Sequence, residues 1–412
     1  MLENVLEKFI DNLFLFITGK KKPNGCLLVK KHSDNLNTHG DISFPNTPKP
    51  WYGFLKCNSN EKNTLLENLN TSSLNLTNES RGWELQISKV TEDKERVYLF
   101  LDRSSAVRIG LLSALRNNNF ISTRINVTVS TVSIDPACEN TDCLTSLRVE
   151  YVKKTLANLC SVFEHLSSIV VSSKSSSNYS NSKRMLCGPV LNASTLVKET
   201  TVTAKDLIKN RQEEMMSIAQ HKYGVRISED SKWKEFIDHL GESAVVFELL
   251  QTRPSSAVKI NMNCSLMGSS KGASFILYNC ARLETIIRTY NERVSEGTYP
   301  SLPDFNETDF TLLTHEDEWY LIFNFILGLP SLLSSCVDLE GSKCEFKPHQ
   351  ICSFLCSMVR VFSQYYRKIR ILTEPRKHLL PVMFARIHML IILNDTLKTC
   401  LRILNIKSVS QM

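Results

Sequence analysis

From Lys271 to Tyr290, apolar residues recur at Phe275, Ile276, Cys280, Leu283, Ile286 and Ile287. That spacing fits one face of an α-helix and excludes the alternation of a half-buried strand. Gly272 and Ser274 stand where such a helix would begin, and serine is a good N-cap. Tyr278, Asn279 and Arg282 set polar tips along the same segment. Taken alone, the stretch predicts an amphipathic core helix.

The distribution of charge adds a second constraint. The whole chain carries +7. From Lys347 onward the cations are Lys347, Arg360, Arg367, Lys368, Arg370, Arg376, Lys377, Arg386, Lys398, Arg402 and Lys407, against only Glu374 and Asp395. Eleven against two leaves about +9 on this block, so the rest is nearly neutral. A charge run can be a merely solvated face. With Tyr365, Tyr366 and His378 interleaved, it is also the footprint of an RNA-binding surface.

At 412 residues the chain has room for two or three domains. No run of eighteen apolar residues occurs, and the start, Met1 to Asp11, mixes acids among its apolar positions. Neither a membrane span nor a secretory signal is predicted. Thirteen cysteines, an odd count, are expected to be reduced core residues of a cytoplasmic protein. The Asn-x-Ser/Thr triplets at Asn75, Asn126 and Asn192 carry no meaning in that setting.

Along the chain, Leu2, Val5, Leu6, Phe9, Ile10, Leu13 and Phe14 predict a first helix ending at Gly19. Residues 58–81 read as a loop around one short helix. Strands are predicted at 83–90, 96–101 and 123–130, with a helix over 106–118, a β-helix-β order that implies a degenerate Rossmann-like unit. One long helix is expected over 144–170. Ser167 to Lys183 has linker composition. Further helices are expected over 203–223 and 233–250. The expected architecture is α+β and multidomain. An α/β N-terminal domain (1–166), a Ser/Asn/Lys-rich linker (167–184) and a connecting segment (185–240) precede an all-α bundle (241–412).

The residues from Gly272 to Arg282 resemble the Gln-Tyr-Ala-His-Ala-Arg helix that opens the anticodon-binding domain of class I arginyl-tRNA synthetases. Tyr278, Ala281 and Arg282 match, Phe275 replaces a tyrosine, and Asn279-Cys280 replaces Ala-His. Ser363 to Leu372 and Ala385 to Ile406 resemble two later blocks of that domain, in order and at its spacing. The stretch from Gly241 to Pro254 resembles the segment linking the synthetase core to it. With Leu186 to Val190 and Tyr278 to Leu283, the chain resembles the DALR anticodon-binding domain-containing protein 3 family. The resemblance implies a DALR helical bundle and a non-catalytic adaptor. Such an adaptor would recognise arginine tRNAs and hand them to a methyltransferase-like 2 type enzyme for 3-methylcytidine formation in the anticodon loop. The RNA-facing candidates are then Tyr278, Asn279, Arg282, Tyr365, Tyr366, Arg367, Lys368, Arg370, Arg376, Lys377, His378, Arg386 and Met412. For each tyrosine, core packing is the competing reading.

Aminoacylation needs a His-x-Gly-His element, and none exists; the corresponding turn, Leu99 to Arg108, has no histidine. Ser269 to Gly272 only imitates the mobile lysine loop of such enzymes. No Walker loop or Gly-x-Gly-x-Gly occurs, and the pairs Cys138/Cys143 and Cys352/Cys356 lack zinc spacing. No cofactor, metal or active site is expected. A divergent arginyl-tRNA synthetase and a protein-only helical scaffold remain the alternatives.

Overall fold

A computed structural model describes residues 2–55, 64–125, 131–138, 142–165, 167–173, 182–223, 231–262, 270–339 and 344–410. Helix α1 (Val5–Thr18) starts where Asn4 accepts the Glu7 N–H at 3.1 Å and stops at Gly19, whose φ of 65° ends the helix. Its stripe Val5, Leu6, Phe9, Leu13, Phe14 and Ile17 is buried, as its periodicity predicts. Strands β1 (Lys30–Lys31), β2 (Ile42–Pro45), β3 (Ile87–Glu92) and β4 (Arg96–Leu101) form an antiparallel sheet in the order β1-β2-β4-β3. Three short helices, α2 (Leu36–His39), α3 (Leu65–Asn68) and α4 (Ser73–Ser80), fill the connections.

The β-helix-β unit is displaced from where the sequence places it. Helix α5 (Arg103–Ile125) runs seven residues beyond the expected 118, and residues 126–130 of the expected third strand lie outside the described residues. The strand that follows is β5 (Val132–Ile134). Helix α6 (Leu144–Val162) ends eight residues before the expected 170, and Ile169–Ser172 is a fully buried strand, β6. The β-branched run Ile169-Val170-Val171 suits a strand covered on both faces, and such a run has no alternation to announce it. It pairs in parallel with β5 and with β7 (Lys183–Leu186). Both flanks of the expected linker are therefore neighbouring strands, and residues 174–181 between them lie outside the described residues.

Helices α7 (Ala204–Tyr223) and α8 (Ser231–Leu250) pack side by side, and α8 runs straight through the expected boundary at 240/241. Gly241 is the contact point: a Cβ there would lie 2.6–2.7 Å from Gln212. Arg211 on α7, nearly buried, makes a bidentate pair with Glu248 on α8 at 2.9 and 3.2 Å. Strand β8 (Val190–Asn192) pairs in parallel with β9 (Val258–Ile260) over a small core of Leu144, Val190, Leu207, Val245, Leu249, Val258 and Ile260.

Arg148 on α6 is fully buried at the centre of this region. Its guanidinium donates to five backbone carbonyls, of Leu249, Gly188, Ser256, Thr252 and Arg253, at 2.6–3.3 Å. One side chain thus gathers the end of α8, the turn behind it and the Leu186–Val190 stretch.

The C-terminal block is α9 (Ser270–Ser295), α10 (Glu316–Leu321), a π-helical turn (Ile322–Ile326), α11 (Leu329–Cys336), α12 (Pro348–Lys368) and α13 (Leu380–Ile403). Among the described residues its strands are limited to β10 (Val337–Asp338), paired with β11 (Glu345–Phe346), and the tie of β9 to β8. Glu316–Cys336 and Leu380–Ile403 reach the length and hydropathy of membrane spans, but both pack into the common core. That core runs continuously from α1 to Val409.

Candidate nucleic-acid interface

Helices α9 and α12 lie against each other, and their seam holds the site. Residues 275, 278 and 282 lie on one face of α9, being three and four apart. The Arg282 guanidinium sits 4.6 Å from the Tyr278 ring centroid and 4.7 Å from that of Tyr366 on α12. Its Nη2 donates to the Tyr278 hydroxyl at 2.8 Å, and Nη1 reaches Asn279 Oδ1 at 3.3 Å and Ser363 Oγ at 3.4 Å. Every one of these partners is neutral. Among the described residues, no carboxylate lies within ion-pairing distance of Arg282. An arginine beside two aromatic rings is held by cation–π attraction of about 0.5–2 kcal/mol per ring.

Phe275 lies one turn away on α9 and is 40% exposed, as is Tyr366. The periodicity assigns Phe275 to the core, and the structure corrects this: the helix buries Ile276, Leu277, Cys280 and Ala281 instead. On α12, Arg360, Gln364 and Arg367 form an exposed stripe beside the seam, and Arg370, Lys377 and His378 are exposed just beyond it. Among the described residues no carboxylate pairs with Arg360, Arg367, Arg370 or Lys377. Arg360 was absent from the candidates, although seven residues before Arg367 is the same face of a helix.

Other candidates are placed differently. Asn279 is fully buried; its Nδ2 donates to the Phe275 carbonyl at 2.8 Å while Oδ1 supports Arg282, so it braces the stack from beneath. Tyr365 is also fully buried, and its hydroxyl donates to Glu318 Oε1 at 2.9 Å. Burial pushes that phenol well above the usual tyrosine range. It cannot offer a face to a base. The signal was available: Ile351, Cys352, Leu355, Met358, Val359, Phe362 and Tyr365 share the apolar phase of α12. Arg386 is spent on the same buried Glu318, at 2.7 Å. Lys368 pairs with Asp317 at 2.8 Å and Arg376 with Glu374 at 2.7 Å. Met412 lies outside the described residues.

The seam can therefore stack aromatic or base rings on Phe275 and Tyr366 and hold anions with Arg282, Arg360, Arg367 and Arg370. Single-stranded nucleic acid asks for that combination. No cluster of three or more metal-binding side chains occurs among the described residues. The turn after β4 presents Asp102, Arg103 and Ser104, with Ser104 Oγ donating to Asp102 at 2.7 Å. The Ser269–Gly272 stretch falls partly outside the described residues.

Residues 276–412 match the family model of the DALR anticodon binding domain. The chain is 34% identical over 233 residues to DALR anticodon-binding domain-containing protein 3 of Mus musculus, an alignment covering 56% of this chain and 43% of that protein. The protein of the same name from Danio rerio is 32% identical over 236 residues, covering 55% and 41%. This chain thus spans less than half the length of these relatives. Arginine–tRNA ligase of Syntrophotalea carbinolica is 26% identical over 181 residues, covering 43% of this chain and 30% of the ligase. The crystal structure of arginyl-tRNA synthetase from Plasmodium falciparum superposes with a TM-score of 0.60 at 10% identity, over 100% of both chains. The overall fold is shared with that protein.

Proposed function

We propose that this chain, which carries a DALR anticodon binding domain over residues 276–412, is a non-catalytic tRNA-binding adaptor. It recognises arginine tRNAs in the cytoplasm and presents them to a methyltransferase-like 2 type enzyme for 3-methylcytidine formation in the anticodon loop. The observation that supports the RNA-binding part is the Arg282 guanidinium, which pairs with no carboxylate among the described residues and is flanked by the Tyr278 and Tyr366 rings. Anticodon-loop bases would splay onto Tyr366 and Phe275, and the α12 arginines would follow the phosphates. The methyltransferase step rests on the family resemblance alone, and the non-catalytic reading on the absence of a His-x-Gly-His element from the sequence.

A filter-binding titration against arginine tRNAs and total tRNA, repeated over a salt series, tests the binding step. Selective binding with a steep salt slope is expected. Salt-independent or absent binding would leave the protein-only scaffold. Arginine-dependent ATP–pyrophosphate exchange that persists through purification would replace the adaptor with a divergent synthetase. The finer claim is tested by adding the protein to purified methyltransferase: 3-methylcytidine in arginine tRNAs should rise only when both are present.

A further inference from the structure

Asp41 precedes β2 and is fully buried, yet no lysine or arginine pairs with it among the described residues. A buried carboxylate is costly unless hydrogen bonds compensate it. Its Oδ2 accepts the Leu101 N–H at 2.8 Å, and Oδ1 accepts the indole N–H of Trp319, also at 2.8 Å. Gly40 allows the approach, with φ of 66° and a would-be Cβ only 2.6 Å from the Leu99 carbonyl. Two neighbours grip the same helix. Lys31 Nζ donates to the Phe323 carbonyl at 3.1 Å and covers that ring at 4.7 Å, and Asn324 donates to the Ser33 carbonyl at 3.2 Å. Residues 31–41 thus hold residues 319–324, where α10 passes into the π-helical turn.

The opposite side of α10 holds the end of α12. Glu318 is fully buried and accepts from Tyr365 at 2.9 Å and Arg386 at 2.7 Å, while its Oε2 accepts the His315 N–H at 3.0 Å. Asp317 pairs with Lys368, and Glu316 with Arg103 of α5 at 2.6 Å. Four consecutive side chains of α10 therefore divide between two sides: Glu316 and Trp319 bind the N-terminal half, while Asp317 and Glu318 bind the last turn of α12, Glu318 holding Arg386 of α13 as well. That last turn carries Tyr366 and Arg367.

We infer that Asp41 and Trp319 are positioning residues for RNA, setting α10 so that Tyr366 closes on Arg282. The N-terminal half then acts on the RNA face at a distance, without touching RNA. The inference rests on the adaptor reading only for its consequence in tRNA binding, since the position of Tyr366 can be read directly.

The test uses the full chain with 3-fluorotyrosine placed at 366. Asp41→Asn keeps an acceptor for Trp319 but turns an amide N–H₂ toward the Leu101 N–H; Trp319→Phe removes the indole donor and keeps a ring in place. Each variant whose circular dichroism matches the parent should show a shifted or doubled fluorine resonance and about tenfold weaker tRNA binding. Leu207→Ala, in the small core under β8 and β9, destabilises the chain elsewhere and should move neither readout. Trp319→Phe decides the matter should Asp41→Asn not fold. An unmoved resonance in a folded Trp319→Phe or Asp41→Asn protein overturns the inference. A moved resonance with unchanged tRNA binding, in a protein whose Arg282→Ala variant also binds normally, upholds the positioning and overturns the adaptor reading.

Discussion

Tyr365 donates its hydroxyl to Glu318 Oε1 at 2.9 Å, inside the core, while its neighbour Tyr366 leaves its ring 40% exposed over Arg282. Adjacent helical residues point about 100° apart at 3.6 residues per turn, so a tyrosine pair cannot serve one surface. The two rings have separate duties, and substitution should separate them.

Tyr365→Phe removes the donor that satisfies a buried carboxylate, and should cost about 1–3 kcal/mol of stability. Tyr366→Ala should change stability by only about 0.5 kcal/mol and weaken tRNA binding. Urea midpoints and filter binding on the same two proteins check both halves.

Arg282→Lys should behave like Arg282→Ala, because a single ammonium, without the guanidinium fork, cannot reach Tyr278, Asn279 and Ser363 together. Both should lower tRNA affinity about tenfold, near 1.4 kcal/mol. Tyr278→Ala opens one side of the stack, and should relax discrimination between tRNAs more than it lowers affinity. Competition binding with arginine and non-arginine tRNAs measures it.

Arg367→Glu should weaken binding more than Lys368→Glu, since among the described residues Arg367 has no carboxylate partner while Lys368 is already paired with Asp317. Losing one phosphate contact should lower the salt slope by roughly 0.7–0.9. Arg386→Gln instead leaves Glu318 short of its cation, and is expected to lower stability by about 3–5 kcal/mol as a broken buried pair. A salt series for the first and chemical denaturation for the second distinguish a surface cation from a core one.

Burial pushes the Lys31 ammonium down to about 8 from 10.5. Between those values the unfolded chain binds the proton more tightly than the folded one, so stability should rise as pH climbs from about 8 to 10.5. Lys31→Met should abolish that rise. Asp41 supplies the opposite slope on the acid side. Burial raises its carboxyl from 3.8 to about 6, and the native state then binds the proton more tightly. Stability should fall as pH rises through that window, and Asp41→Asn should remove the fall. Urea unfolding of parent and variants across both ranges checks the signs.

Much of the helical frame was legible because its helices carry long apolar phases: α1, α7, α8 and α9 start and stop within a few residues of their expected bounds. Strand β6 was not legible, since a fully buried β-branched run after a helix has no period of its own to mark the change. The basic block could be counted but not sorted. Whether Lys368 and Arg386 are free depends on Asp317 and Glu318, which lie 51 and 68 residues away and meet them only after folding. The Tyr278–Arg282–Tyr366 stack was half legible for the same reason: helical spacing brings Tyr278 to Arg282, but only the packing of α9 on α12 adds the third ring.

Among the described residues Arg148 is held by carbonyl oxygens alone, five fixed dipoles around one buried charge. Ion pairs at the surface, such as Arg376–Glu374, weaken as salt screens them, whereas a buried cation held by fixed carbonyl dipoles is screened far less. Raising the salt should therefore loosen the rim of the molecule while the turn at 252–256 stays fastened to α6, a hinge pin that ionic strength does not reach.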